Sequence, residues 1–219
     1  MKLISNSIGA LIILGAFVFY HVQIEELSVY LGLSWTFSKM IPYVLEFILV
    51  VLLGAILTQF FNGSRVLQKF IMVASVVVFS GIAFAIHPIY EGDFANHPEE
   101  LVATSDDIKT GLTMVALPGC PYCLERISTL NALHEQLGDL PITVVMLEGD
   151  TIAIGEYIQR LNPGIGISPA LNSKLLGELT EGSYPSFFFQ NRGVCVYRWN
   201  QVGFGTGALD WLAEQSNSH

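Results

Sequence analysis

Three apolar runs within the first 87 residues constrain this chain more than any other feature. They lie at about 3–20, 41–61 and 70–87, and within them the only Asp, Glu, Lys or Arg is Glu46, in the second. A bilayer core ~30 Å thick takes about 20 helical residues, so all three are long enough to span. The whole chain is 52% hydrophobic and 13% charged, against about 25% charged in an ordinary soluble domain. That balance excludes a single soluble domain, and it excludes disorder, which needs low hydrophobicity and high charge.

The first run follows Lys2 and could be mistaken for a secretory leader. The residues after it, His21-Val-Gln-Ile-Glu-Glu26, offer no small-x-small cleavage site, so it reads as an uncleaved span. Residues 22–40 are mixed in character and suit an interfacial helix, with Trp35 and Tyr43 at headgroup level. Lys2, Arg65 and Lys69 flank one side of the spans, only Lys39 flanks the other, and no further Lys or Arg occurs before Lys109. The positive-inside rule then puts the amino terminus in the cytoplasm and everything after the third span outside it. Glu46 is an isolated acid. It reads as a helix-end residue or a helix–helix partner rather than part of an ion path, which would need further polar groups. Gly9, Gly15, Gly54, Ser75, Ser80 and Gly81 read as close-packing positions.

Beyond residue 87 the character changes. Residues 88–219 carry six Lys/Arg against sixteen Asp/Glu, and the absence of a basic stripe argues against nucleic acid as a partner. Residues 88–104, which follow His87 and contain His97-Pro98 and four acids, read as a linker. From 105 to 219 short apolar strands alternate with helical periodicity: a strand at 112–117, a helix over 121–137, a strand at 142–147, helices near 154–161 and 173–180, a hairpin from Ser186 to Trp199 and a last helix near 207–215. The expected fold is therefore a membrane α-helical part with three transmembrane helices, followed by one α/β domain.

The chemistry concentrates at Cys120-Pro121-Tyr122-Cys123. The pair follows a strand and opens a helix. Unpaired N–H groups and the helix dipole at such a position favour a thiolate on Cys120, and Pro121 fits a first turn in which no N–H is needed. Cys123 lies one turn inward, within reach of a mixed disulfide on Cys120, so the two can exchange between dithiol and disulfide. Zinc would need about four ligands, and only Cys195 and His134 remain in the folded part; no metal site and no cofactor are expected. Cys195, between Val194 and Val196, reads as a core residue. An inert structural disulfide is the other alternative.

With these residues in view the chain resembles the thioredoxin superfamily over about residues 105–216. The Cys-Pro-Tyr-Cys tetrapeptide is of the glutaredoxin type, and Ser183-Tyr184-Pro185-Ser186 stands where the superfamily has a cis-proline before its central antiparallel strand. The resemblance implies a cis Tyr184–Pro185 bond and a loop that takes the substrate backbone beside the cysteines. It also implies catalytic roles for Cys120 and Cys123, with Pro121, Tyr122, Tyr184 and Pro185 lining the substrate groove. The membrane part makes the chain most similar to extracytoplasmic members that handle disulfides. There are departures. Met114 stands where thioredoxins keep a buried acid, Gly119 replaces the preceding Trp, and the glutathione-binding residues after the glutaredoxin cis-proline are missing.

The expectation is a membrane-tethered thiol–disulfide oxidoreductase in a bacterial inner membrane, multi-pass, with its catalytic domain in the periplasm. Its partners would be protein thiols or disulfides, the lipid bilayer and a separate redox partner protein; the last follows because the membrane part contains no Cys and cannot pass electrons by thiol exchange. The competing expectation is a membrane binding or assembly protein whose thioredoxin-like module is redox-inactive.

Overall fold

The computed structural model describes residues 12–59, 65–102, 105–148, 151–191 and 195–217. The chain divides into two compact units, Met1–Ile89 and Tyr90–His219.

The first unit is helical. Helix α1 (Ile12–Phe19) is followed by α2 (His21–Tyr30) across a bend of 58°. Two long helices follow, α3 (Trp35–Thr58) and α4 (Arg65–Ile86). At 1.5 Å per residue they measure about 36 and 33 Å, enough to cross a bilayer core of ~30 Å. Two helices thus meet the requirement outright, and a third does so if α1 and α2 count as one bent span. Positions 3–11 of the first apolar run lie outside the described residues. Helix α3 begins six residues before the apolar run at 41–61 that announced it. Ser34 caps it by accepting the Phe37 N–H at 3.2 Å, and Pro42 falls inside it, where an absent N–H removes one bond without ending the helix. Trp35, expected at a headgroup, is buried in the first turn of α3.

Leu14, Val50 and Leu53 form the buried apolar centre of this unit, flanked by Leu49, Leu57, Val76 and Phe79. Of the small residues, Gly54 lies against Met72 and Ser75, close enough that an added Cβ would stand 3.6–3.7 Å from their side chains. Gly15 and Gly81 have nothing within 4 Å. Glu46 is buried, and its Oε1 lies 3.0 Å from His21 Nδ1. His21 in turn stacks on His87 at 4.1 Å, and Tyr43 sets its ring edge-on to His21 at 4.6 Å while its hydroxyl donates to the His87 carbonyl. The acid is therefore a helix–helix partner, joining α3 to α2.

The second unit holds β1 (Glu99–Leu101), β2 (Gly111–Ala116), α5 (Pro121–Gln136), β3 (Ile142–Met146), α6 (Thr151–Ile158), β4 (Gly166–Pro169), α7 (Ser173–Leu179), β5 (Ser186–Asn191), β6 (Cys195–Trp199) and α8 (Thr206–Asn217). The described strands form one mixed sheet in the order β1-β6-β5-β2-β3-β4. Strands β2, β3 and β4 are parallel; β5 runs antiparallel to β2, and β6 to β5. Every residue of β2 is buried, as in a central strand covered on both faces. One face of the sheet carries Val115, Val145, Phe188 and Val196 against Ile108 and Leu176. From the other face of the hairpin project Phe187, Phe189, Tyr197 and Trp199. There Phe187 stacks on Phe204 at 3.7 Å, and Trp211 of α8 meets Phe189, Tyr197 and Trp199 edge-on.

The segment read as a linker is different. From Glu91 it is ordered against the sheet: a short 3₁₀ turn at Glu91–Asp93, then β1 paired to β6. The Gly92 N–H donates to the Val202 carbonyl at 3.0 Å, Trp199 Nε1 donates to Asn96 at 2.8 Å, and Thr206 donates to the Asp93 carbonyl. A Cβ on Gly92 would overlap the Gly203 backbone at 2.3 Å, and one on Gly205 would overlap the Gly92 backbone at 2.4 Å. These partners lie about a hundred residues away in the chain, so a local composition of acids and prolines concealed them.

Candidate active site

Strand β2 ends at Ala116, and Leu117-Pro118-Gly119 turns the chain into α5. Gly119 has φ +65°, a left-handed conformation that disfavours any residue with a Cβ; this accounts for glycine ahead of the first cysteine. Cys120 is the N-cap of α5 in extended conformation, and Pro121 follows at the first helical position. The Cys123 N–H donates to Cys120 Sγ at 3.2 Å. The sulfur thus takes the place that a Ser or Asp oxygen takes in an ordinary cap, facing the positive end of the helix dipole.

The two sulfurs occupy contrasting environments. Both are free thiols; Cys120 is half-exposed and Cys123 buried. Burial, then a hydrogen bond to Cys120, push the Cys123 thiol from its ordinary 9.0 up to about 12, against opposing hydrogen bonds from the Leu117 backbone and Tyr157. Met114, six residues before Cys120, is fully buried, so that position supplies no charge.

The Tyr184–Pro185 peptide is cis, as the resemblance implied. Ser186, the next residue, is the register partner of Val115. The proline loop therefore lies at the end of the sheet from which β2 runs into the cysteine turn, and Pro185 is buried there. Pro121 and Tyr122 are exposed beside Cys120, Tyr122 at 55%. Tyr184 is placed differently from expectation. Its ring packs against the core cluster around Leu176, and its hydroxyl is 3.0 Å from Thr180 Oγ1. A half-buried phenol needs a partner for its hydroxyl, and α7 provides one, so the side chain faces the domain rather than an open groove. Cys195 opens β6, but its side chain lies outside the described residues.

Two residues next to the cysteines carried no signal in the sequence. Tyr157 of α6 is fully buried and donates to the Leu117 carbonyl at 3.1 Å, the same oxygen that accepts the Cys120 N–H at 3.3 Å. Burial, then the nearby thiols, raise its ionisation above the usual phenol range, so it stays a donor. Arg126, one turn beyond Cys123, donates to the Gln201 carbonyl at 3.0 Å. Its burial pushes the guanidinium down from its ordinary value, with buried Asp93 opposing. Tyr157 had read as one apolar position in a helix; only its hydroxyl could have marked it.

No family model matches the chain, and no curated protein matches it. Among solved structures it is similar to a secreted Mycobacterium tuberculosis disulfide oxidoreductase homologous to E. coli DsbE. That similarity has a TM-score of 0.39 and 13% identity, and covers 49% of this chain and 80% of the other.

Proposed function

We propose that the protein is a membrane-tethered thiol–disulfide oxidoreductase of the thioredoxin superfamily, acting on protein thiols or disulfides through Cys120 and Cys123. The observation that carries this reading is the asymmetric pair: a half-exposed sulfur capping α5, and a buried one a turn inward whose N–H bonds the first. The cis-proline loop at the same end of the sheet supports it.

In the reducing direction the Cys120 thiolate attacks one sulfur of a substrate disulfide. That bond breaks, the other substrate sulfur leaves as thiolate, and a mixed disulfide to Cys120 forms. Cys123 then attacks Cys120 Sγ, closing the Cys120–Cys123 disulfide and releasing the second substrate sulfur, which takes up a proton. Two electrons pass from the pair to the substrate, and a partner dithiol restores them. The oxidising direction is the same sequence reversed. The exposed Pro121 and Tyr122 beside Cys120 form the surface on which the substrate chain lies, with the buried Pro185 loop at the same end of the sheet. The distribution of Lys and Arg around the apolar helices supports a cytoplasmic amino terminus and a periplasmic catalytic unit in a bacterial inner membrane.

Titration of the full chain against glutathione redox buffers, with alkylation of remaining thiols and mass analysis, tests the reading. A reversible two-electron transition confined to Cys120 and Cys123 is expected. A pair that stays reduced or oxidised across the whole range leaves a binding or assembly role in its place.

A further inference from the structure

We propose that the helical first unit binds a protonated primary alkylamine, its ammonium on the second oxygen of Glu46 and its carbon stem among the rings of Tyr43, Phe47, Phe79 and Phe84. The site lies within Met1–Ile89 and uses no group of the cysteine exchange.

Glu46 stands on α3 among apolar side chains, and its bond to His21 accounts for half of its carboxyl group. Oε1 lies 3.0 Å from His21 Nδ1, whereas Oε2 is buried and has no hydrogen-bond partner among the described residues. His21 Nε2 is buried without a partner as well. Any arrangement with hydrogen on Nε2 strands a buried N–H. With Nδ1 as the donor, the two unpartnered atoms are both acceptors. Stranded donors are the rarer of the two, so Glu46 is a carboxylate with one oxygen open. A buried charge in such a setting calls for a partner of opposite sign.

The pocket beside it fits that partner. Glu46 lines a cavity of about 80 Å³ together with Tyr43, Phe47, Phe79, Ser80 and Phe84. Phe47 and Phe84 are about half exposed, so the cavity meets the outer surface of the helices. A cavity of about 150 Å³ holds one benzene; this one excludes a further ring and admits a narrow head of a few atoms. A hard metal ion needs about six oxygens, and among the described residues no three His, Cys, Asp or Glu gather to hold a metal. Aromatic surface around one carboxylate is instead the chemistry that recognises an organic ammonium. The Ser80 hydroxyl offers a second acceptor, which suits the three N–H donors of a primary ammonium. A free alkylamine and the headgroup of an aminophospholipid share this chemistry.

The probe is decylamine, charged at pH 7 like a lysine, titrated by calorimetry into the full chain in dodecyl maltoside micelles, with decan-1-ol as the uncharged analogue. Saturable binding of decylamine is expected, about tenfold tighter than decanol. Glu46→Gln, which keeps an acceptor for His21, is expected to weaken decylamine by about tenfold, as for loss of one hydrogen-bonded charge. Equal binding of decylamine and decanol overturns the proposal, and so does equal binding of decylamine by the unmutated protein and Glu46→Gln, or no saturable binding at all. If Glu46→Gln does not fold, the comparison of amine with alcohol on the unmutated protein decides alone. Nanodiscs separate the two sources. Decylamine that binds in phosphatidylcholine discs and is displaced in phosphatidylethanolamine discs identifies a lipid headgroup as the occupant; equal binding in both identifies a free amine.

Discussion

The contrast between the two sulfurs predicts a pH dependence that ordinary thiols do not show. In a Cys120→Ala, Cys195→Ser protein the remaining thiol is Cys123. In the native chain burial dominates the forces that raise it from 9.0 to about 12, and burial survives the substitution. Alkylation requires the thiolate, so at pH 7 a shift of that size leaves about a thousandfold less reactive species than an unperturbed thiol has. Losing Cys120 removes part of the shift, so the deficit falls but stays above about tenfold. Steric burial also slows the reaction, but by a factor that does not vary with pH. The decisive measurement is therefore the slope: iodoacetamide rates from pH 7 to pH 10.5 on the folded full chain. A tenfold rise per pH unit that continues past pH 9.5 is expected. A plateau at pH 9 would show that Cys123 titrates like a free thiol and would refute the reasoning. The sign for stability follows. Because the folded value lies above the unfolded one, the contribution is complete below about pH 9 and is lost as pH rises from 9 toward 12. Thermal midpoints of native protein should fall across that window more than those of Cys123→Ala.

Asp107 is buried and accepts the backbone N–H groups of Leu171 at 2.7 Å and Asn172 at 3.1 Å, and the Ser105 hydroxyl at 3.2 Å. Asp107→Ala strands these donors and should cost about 3 kcal/mol, read as a fall of ~10 °C in the thermal midpoint of the second unit. Glu46→Ala leaves His21 Nδ1 without its buried partner and should cost about 1–3 kcal/mol. Glu46→Gln keeps an acceptor and should lie near the native midpoint; equal losses in both variants would count against the hydrogen bond. Gly119→Ala meets no atom within 4 Å at φ +65°, so it should cost only the backbone strain of about 1–2 kcal/mol and retain exchange with small disulfides. A larger loss by urea titration would point to a clash that the turn does not contain.

Most of the second unit's elements were legible because each announces itself locally. Short apolar runs mark β2 and β3, two such runs around Asn191-Arg192-Gly193 mark the β5–β6 hairpin, and helical spacing of Leu124, Ile127, Leu130 and Leu133 marks α5. The cysteine pair was legible for the same reason, since strand, turn, N-cap and Pro121 are consecutive. The short strands β1 and β4 were not, because three or four residues carry too little pattern, and β1 exists only through β6, about a hundred positions on.

The apolar runs likewise settled that helices long enough for a bilayer are present, since transfer free energy adds up along a segment whatever its neighbours. Where α3 begins, the bend after Phe19 and the partnership of His21 with Glu46 depend on which helices pack together. Around the cysteines the same division holds. Residue order placed one sulfur at a helix start and the other a turn behind it. Which side chain braces the cysteine turn was a matter of long-range packing: α6 delivers the Tyr157 hydroxyl to the Leu117 carbonyl from 40 positions away in the chain, while the side chain of Tyr184 turns inward to Thr180. Periodicity records a residue's own element, but a hydrogen bond across the fold depends on distances that arise when separate elements share one core.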